Sequence, residues 1–102
     1  MARAAFVLRV RPDRIDEYLL AHRQVWPEML DAIRSAGIRN YTIFRHGTEV
    51  FGYIESDDLE HAWRYLADNE VNQRWQTAMA DLLEARVADE GPTLLPEIFR
   101  LD

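Results

Sequence analysis

The chain has no cysteine, which excludes a disulfide scaffold, a thiol nucleophile and thiolate metal ligation. Histidine is scarce too, and His22, His46 and His61 are too scattered to suggest a zinc cluster. Long apolar runs are missing. The opening stretch, Ala2 to Val10, is interrupted by Arg9 and followed by Arg11, so it is too short and too charged for a signal peptide or membrane span. Positive charge is dispersed among acids rather than gathered into a patch. With a net charge of −6 this favours solubility and argues against nucleic-acid binding, so a cytoplasmic protein is expected. Repeats, linkers and low-complexity segments are absent. What remains is 102 residues, 48% apolar and 29% charged, which is enough for one core and one domain spanning residues 1–102.

Residues 4–10 read as a strand, with Phe6, Leu8 and Val10 on one face and Val7 and Arg9 on the other. Pro12, followed by Asp13, Asp16 and Glu17, opens a helix with acids at its positive end. Apolar and aromatic positions from Ile15 to Ile33 then recur at three and four, including Tyr18, His22, Trp26 and Met29. Pro27 removes an intrahelical bond and should kink or split this helix, and Gly37 should stop it. Residues 40–45 and 49–55 form a hairpin through His46-Gly47-Thr48. Asp57 with Glu60 is a candidate capping box for a helix carrying Leu59, Trp63 and Leu66. After an interruption at Asp68-Asn69, a further helix carries Val71, Trp75, Met79 and Leu82. Asp89-Glu90-Gly91-Pro92 reads as a loop, and Glu97 to Leu101 as a final strand.

That order predicts an α+β, ferredoxin-like domain, with a four-stranded antiparallel sheet and helices on one face. The other face, with Val7, Arg9 and Tyr53, is too apolar for simple solvation, so a homodimer is expected. Tyr18 and His22 lie four apart on one helix face. Such a pair is either packed core or, with Tyr41 and Trp75 nearby, equipment for proton transfer in a small polar pocket.

The distinctive residues are Ala5-Phe6-Val7, Pro12, Glu17-Tyr18, His22, Trp26-Pro27-Glu28, Gly37, Asn40-Tyr41, Gln73-Arg74-Trp75 and Met79-Ala80-Asp81. On these the chain resembles the L-rhamnose mutarotase family over essentially its whole length, the block from His22 to Glu28 being the most specific. The resemblance implies a dimeric α+β barrel of the ferredoxin-like type that interconverts sugar anomers without cofactor or metal. It makes His22 the catalytic acid and puts Tyr18, Tyr41 and Trp75 on a monosaccharide, L-rhamnose or a similar deoxyhexose. Two departures fall near the implied sugar. Gln76 stands where the family pattern has a second tryptophan, and residues 86–92 replace an Asn-Pro-Asp loop. Gln76 could bond two sugar hydroxyls in place of stacking.

Mutarotation needs one group to protonate the ring oxygen and another to accept the anomeric proton. An imidazole, with a reference pKa of about 6.5, can serve either step. A phenol, with a reference value of about 10, needs help from the site to act as a base. Trp26, Trp63, Met29 and Met79 are read as core packing. Glu28 is a partner of the site or a solvated acid, and Arg9 an interface or pocket-rim residue. His46 is a hairpin-turn residue and His61 an early helical one. Residues 86–90 are a solvated loop or a lid. From another functional class, similar small dimeric barrels act as cofactor-free oxygenases on aromatic substrates or merely bind a ligand, and oxygenase activity would call for a larger, mostly apolar cavity than a monosaccharide needs.

Overall fold

The computed structural model describes residues 2–85, 87 and 91–101. Strand β1 (Ala2–Arg9) leads through a 3-10 turn (Pro12–Arg14) into α1 (Ile15–Arg23) and α2 (Pro27–Ser35). Strands β2 (Ile38–His46) and β3 (Glu49–Ser56) follow, then α3 (Leu59–Asp68) and α4 (Glu70–Ala80). The sheet is antiparallel in the order β1-β3-β2. Alternation in β3 is complete: Val50, Gly52, Ile54 and Ser56 are buried, and each residue between them is half-buried. Helices pack on that buried side, around Val10, Val50 and Ile54 with Met29, Leu66, Trp75 and Met79. The fold is α+β and ferredoxin-like, as the pattern of elements predicts.

Proline divides the long helical stripe cleanly, because Pro27 occupies the first turn of α2, where its missing N–H costs nothing. The next helix start differs by one residue from the expected box at Asp57 and Glu60. Asp58 is the cap, accepting from the His61 amide at 3.0 Å, and no glutamate reciprocates. Asn69 caps α4 in the same way, accepting from the Asn72 amide at 2.9 Å. That helix ends at Ala80, so Leu82 packs from the turn beyond it.

The expected fourth strand at 97–101 is not formed. The tail does approach the edge of β1, through a Phe6–Leu94 bridge, a Leu95 amide bonded to the Ala5 carbonyl at 2.7 Å, and an Arg3–Glu97 ion pair. Pro96 then supplies no amide donor. Carried onward antiparallel, the same register sets Ile98 opposite Ala2, where β1 begins. Ile98 and Phe99 stand 95% and 79% exposed.

Cross-strand partners share a face, so Val7, Phe51 and Phe44 form an apolar row across the side away from the helices. Phe44 there is 65% exposed. The expected loop at residues 86–92 lies mostly outside the described residues, which include only Val87, Gly91 and Pro92 of it.

Candidate functional site

Helix α1 sets Tyr18 and His22 one turn apart, their rings 4.3 Å between centroids and tilted by 33°. His22 Nδ1 lies 2.9 Å from the Tyr18 carbonyl oxygen. A carbonyl only accepts, so Nδ1 carries the proton and donates. That assigns the tautomer and leaves Nε2 as the working nitrogen, a base when bare and an acid when protonated. Tyr18 is buried and His22 half-buried.

Helix α4 brings Trp75 edge-on to His22, with centroids 5.5 Å apart at 82°, and Trp26 packs edge-on against Trp75 at 5.1 Å and 90°. Asn72 and Gln76 occupy successive turns of α4. Gln76 Nε2 donates to Asn72 Oδ1 at 3.3 Å, while Asn72 Nδ2 donates to the Leu66 carbonyl at 2.9 Å. Across from them β2 supplies Tyr41, whose ring meets Phe6 edge-on at 6.2 Å.

The structure brings Tyr18, His22, Tyr41, Trp75 and Gln76 around one cavity of about 100 Å³, with Phe6, Met29, Trp63 and Asn72 in its walls. His22, Tyr41 and Trp75 also line an adjoining open cleft of about 890 Å³, together with Arg34, Arg39 and Asn40. The inner walls are mostly apolar and the cleft carries polar groups, so a polyhydroxylated ring could be gripped at one end and remain wetted at the other.

Burial pushes the Tyr18 phenol up to about 12. Tyr41 is pushed upward as well, first by burial and then by the neighbouring Tyr18 phenol. The whole of Tyr41 is 41% exposed, so this crowding is local to its hydroxyl. The surroundings thus work against either tyrosine acting as a base. Both stay protonated and can donate or accept hydrogen bonds to hydroxyls.

Other candidates fall away from the cavity. Arg9 is exposed beside Glu49, at 3.7 Å, and lines neither the cavity nor the cleft. Glu28, His46 and His61 are exposed. Among the described residues no group of His, Asp and Glu is arranged to hold a metal ion. Trp63 packs half-buried against the core, as expected, and also forms part of the cavity wall. Gly91 lies so close under it that a Cβ there would sit 3.3 Å from the indole. Asn72 was not anticipated, although its place four residues before Gln76 put it on the same helix face.

A family model described as L-rhamnose mutarotase matches residues 3–101. The L-rhamnose mutarotase of Oceanobacillus iheyensis is 37% identical, and that of Bacillus subtilis (strain 168) 39%, each match covering 100% of both chains. Among solved structures, an L-rhamnose mutarotase from Formosa agariphila superposes with a TM-score of 0.81 at 26% identity over 100% of both chains. Tetracenomycin F2 cyclase from Streptomyces glaucescens has a TM-score of 0.61 at 21% identity, covering 100% of this chain and 98% of the cyclase, and shares the fold alone.

Proposed function

The chain belongs to the L-rhamnose mutarotase family, and from that premise we propose that this single-domain protein interconverts the anomers of L-rhamnose, with His22 as its acid–base group. The observation that carries the reading is the His22 ring, tied down through Nδ1 and leaving Nε2 for a cavity edged by hydroxyl, indole and amide groups. Protonated Nε2 gives its proton to the ring oxygen as the C1–O5 bond breaks and O5 takes the bonding pair. Water in the open cleft takes the proton of the anomeric hydroxyl, and C1 becomes an aldehyde carbon. Rotation about C1–C2 and reversal of these steps closes the ring to the other anomer. Every proton removed is returned, so the reaction is balanced without a cofactor.

Trp75 presents a flat surface to the sugar's C–H face, while Tyr18, Tyr41 and Gln76 bond its hydroxyls. Positioned acid–base help of this kind contributes about 10²–10⁴-fold. The test is saturation-transfer NMR on L-rhamnose at a pH and temperature where spontaneous exchange is slow. Catalytic amounts of protein should transfer saturation between the anomeric protons, and exchange at the spontaneous rate would defeat the proposal.

The same reading takes the protein as a cytoplasmic homodimer. What supports the dimer is the apolar row Val7–Phe51–Phe44 on the sheet face opposite the helices. Among the described residues no helix is long and apolar enough to cross a membrane.

A further inference from the structure

Strand β2 carries one irregularity. Its ladder runs Ile38 to Ser56 and Arg39 to Glu55, then resumes with Thr42 to Tyr53, so Asn40 and Tyr41 together oppose Ile54. Asn40 has φ 52°, the sole positive value outside glycine among the described residues. Asparagine tolerates that left-handed conformation better than most side chains. The extra residue reverses which face each later side chain takes. In an unbroken ladder residue 41 would pair with Tyr53 and share its face, away from the helices. With the bulge, Tyr41 and Ile43 join Ile38 on the helix side, where both line the cavity.

The bulge is latched. Asn40 Nδ2 donates to Glu55 Oε1 at 2.7 Å, and the Tyr53 hydroxyl donates to Glu55 Oε2 at 2.6 Å. These two bonds, Tyr53's first, hold the Glu55 carboxyl below its ordinary range, so it is a charged acceptor at neutral pH. Thr42 Oγ1 also donates to the Asn40 carbonyl at 3.3 Å.

We propose that Asn40 and Glu55 are positioning residues for the sugar site: the left-handed bulge at Asn40, latched to Glu55, turns Tyr41 from the outer sheet face into the cavity. The kinetic half of this rests on Tyr41 binding sugar in the proposed reaction, whereas the register half does not depend on any activity.

The test compares Asn40→Val, whose branched side chain resists positive φ, with Asn40→Gly, which accepts it but loses the latch. Two readouts are taken: the nuclear Overhauser contact between the Tyr41 and Phe6 rings, and kcat and KM for L-rhamnose exchange. The valine variant should lose the ring contact and raise KM about tenfold with kcat little changed, the size expected for one lost hydrogen-bonding partner. In a Tyr41→Ala background it should add less than about twofold, because the residue through which it acts is gone. The glycine variant should keep the ring contact. Glu55→Ala removes the latch but leaves an asparagine that, unlike glycine, is strained by its positive φ, so it should weaken that contact and raise KM in the same direction. It answers the question if Asn40→Val does not fold, and an unchanged contact there would overturn the proposal. Sedimentation of each variant checks that the oligomer is unchanged. Retention of the Tyr41–Phe6 contact in a folded valine variant would overturn the proposal, as would losses that simply add in the Tyr41→Ala background. Loss of the contact with wild-type KM would overturn the positioning role and count against Tyr41 as a sugar ligand. Wild-type protein inert toward L-rhamnose would defeat the proposed function and with it the positioning role, leaving only the register claim, which the ring contact still decides.

Discussion

His22 donates from Nδ1 to the carbonyl of Tyr18, one turn back on its own helix, at 2.9 Å. The bond fixes both the ring's orientation and its tautomer, so proton exchange falls to Nε2 alone. An asparagine can imitate the Nδ1 donor but has no titrating nitrogen at the Nε2 position. His22→Asn should therefore keep the fold while lowering exchange by about 10²–10⁴-fold, as His22→Ala should. Anomer exchange by NMR, with circular dichroism to verify folding, checks this. Exchange near the wild-type rate in a folded variant would remove His22 from the chemistry.

The tyrosines give a pH dependence whose sign follows from burial. The Tyr18 phenol rises from about 10 unfolded to about 12 folded, so the folded state holds its proton more tightly. Its contribution to stability is complete below pH 10 and is lost as pH climbs through about 12, on the order of 3 kcal/mol for a shift of that size. Tyr41 shifts in the same direction. Denaturant unfolding between pH 8 and 12 should show stability falling across the upper half of that range, and tyrosinate absorbance should lag behind that of the unfolded chain. Exchange should show no gain near pH 10, since a phenolate is not the base. A stability profile flat through the alkaline limb would contradict the burial.

Much of this arrangement was legible in the residues. The three-and-four spacing of Tyr18 and His22 fixed their common face, and Pro27 marked where the helix divides. Gly47, at φ 61°, sits at the first central position of the hairpin turn, where a glycine with positive φ suits the twist of the strands. The bulge was not read, although the sequence carries a trace of it. Ile38 and Ile43 are both apolar yet differ in parity, which a regular strand with one buried face does not permit. The missing fourth strand has another cause. The β-prone residues Ile98, Phe99 and Leu101 report what those side chains prefer, not whether they pair, and Pro96 just before them supplies no amide donor to a ladder. The inner wall by Trp63 was hidden because helical spacing looks the same for a residue facing a void as for one facing packed aliphatics.

Gln76 offers a measure of sugar preference. Its amide is held by Asn72 at 3.3 Å and lines the cavity beside Trp75. A site built to bond a hydroxyl discriminates strongly against an analogue without it, because buried polar groups are left unpaired. Gln76→Trp should therefore shift the ratio of kcat/KM between L-rhamnose and L-fucose by about tenfold or more. Exchange spectroscopy on both sugars, and on their non-deoxy counterparts, supplies the ratio. An unchanged ratio would show that Gln76 does not read the sugar.

The apolar row on the outer sheet face bears on assembly. Phe44, 65% exposed, pairs with Phe51, which pairs with Val7. If a second copy covers this face, Phe44→Asp places a charge in an apolar contact and should shift a dimer toward monomer at micromolar concentration. Sedimentation velocity on wild type and variant distinguishes the cases. A wild-type protein that sediments as a monomer would refute the dimer outright.

Gly52 and Phe6 tie the sheet to the cavity floor. They are direct partners across β1 and β3, and a Cβ on residue 52 would lie 2.1 Å from Phe6 Cζ, far inside contact distance. The Phe6 ring fills the space a side chain would take and meets Tyr41 edge-on at 6.2 Å. Gly52→Ala must drive that buried ring aside, and the open volume available to it is the cavity. Overpacking of this kind costs about 1–3 kcal/mol, which thermal or urea unfolding can read. Because the displaced ring enters the cavity, KM for L-rhamnose should rise as well. Phe6→Leu removes the offending atoms, so the double variant Gly52→Ala with Phe6→Leu should recover part of both losses relative to Gly52→Ala alone. A double variant with strictly additive losses would mean that the ring is not what the new methyl meets.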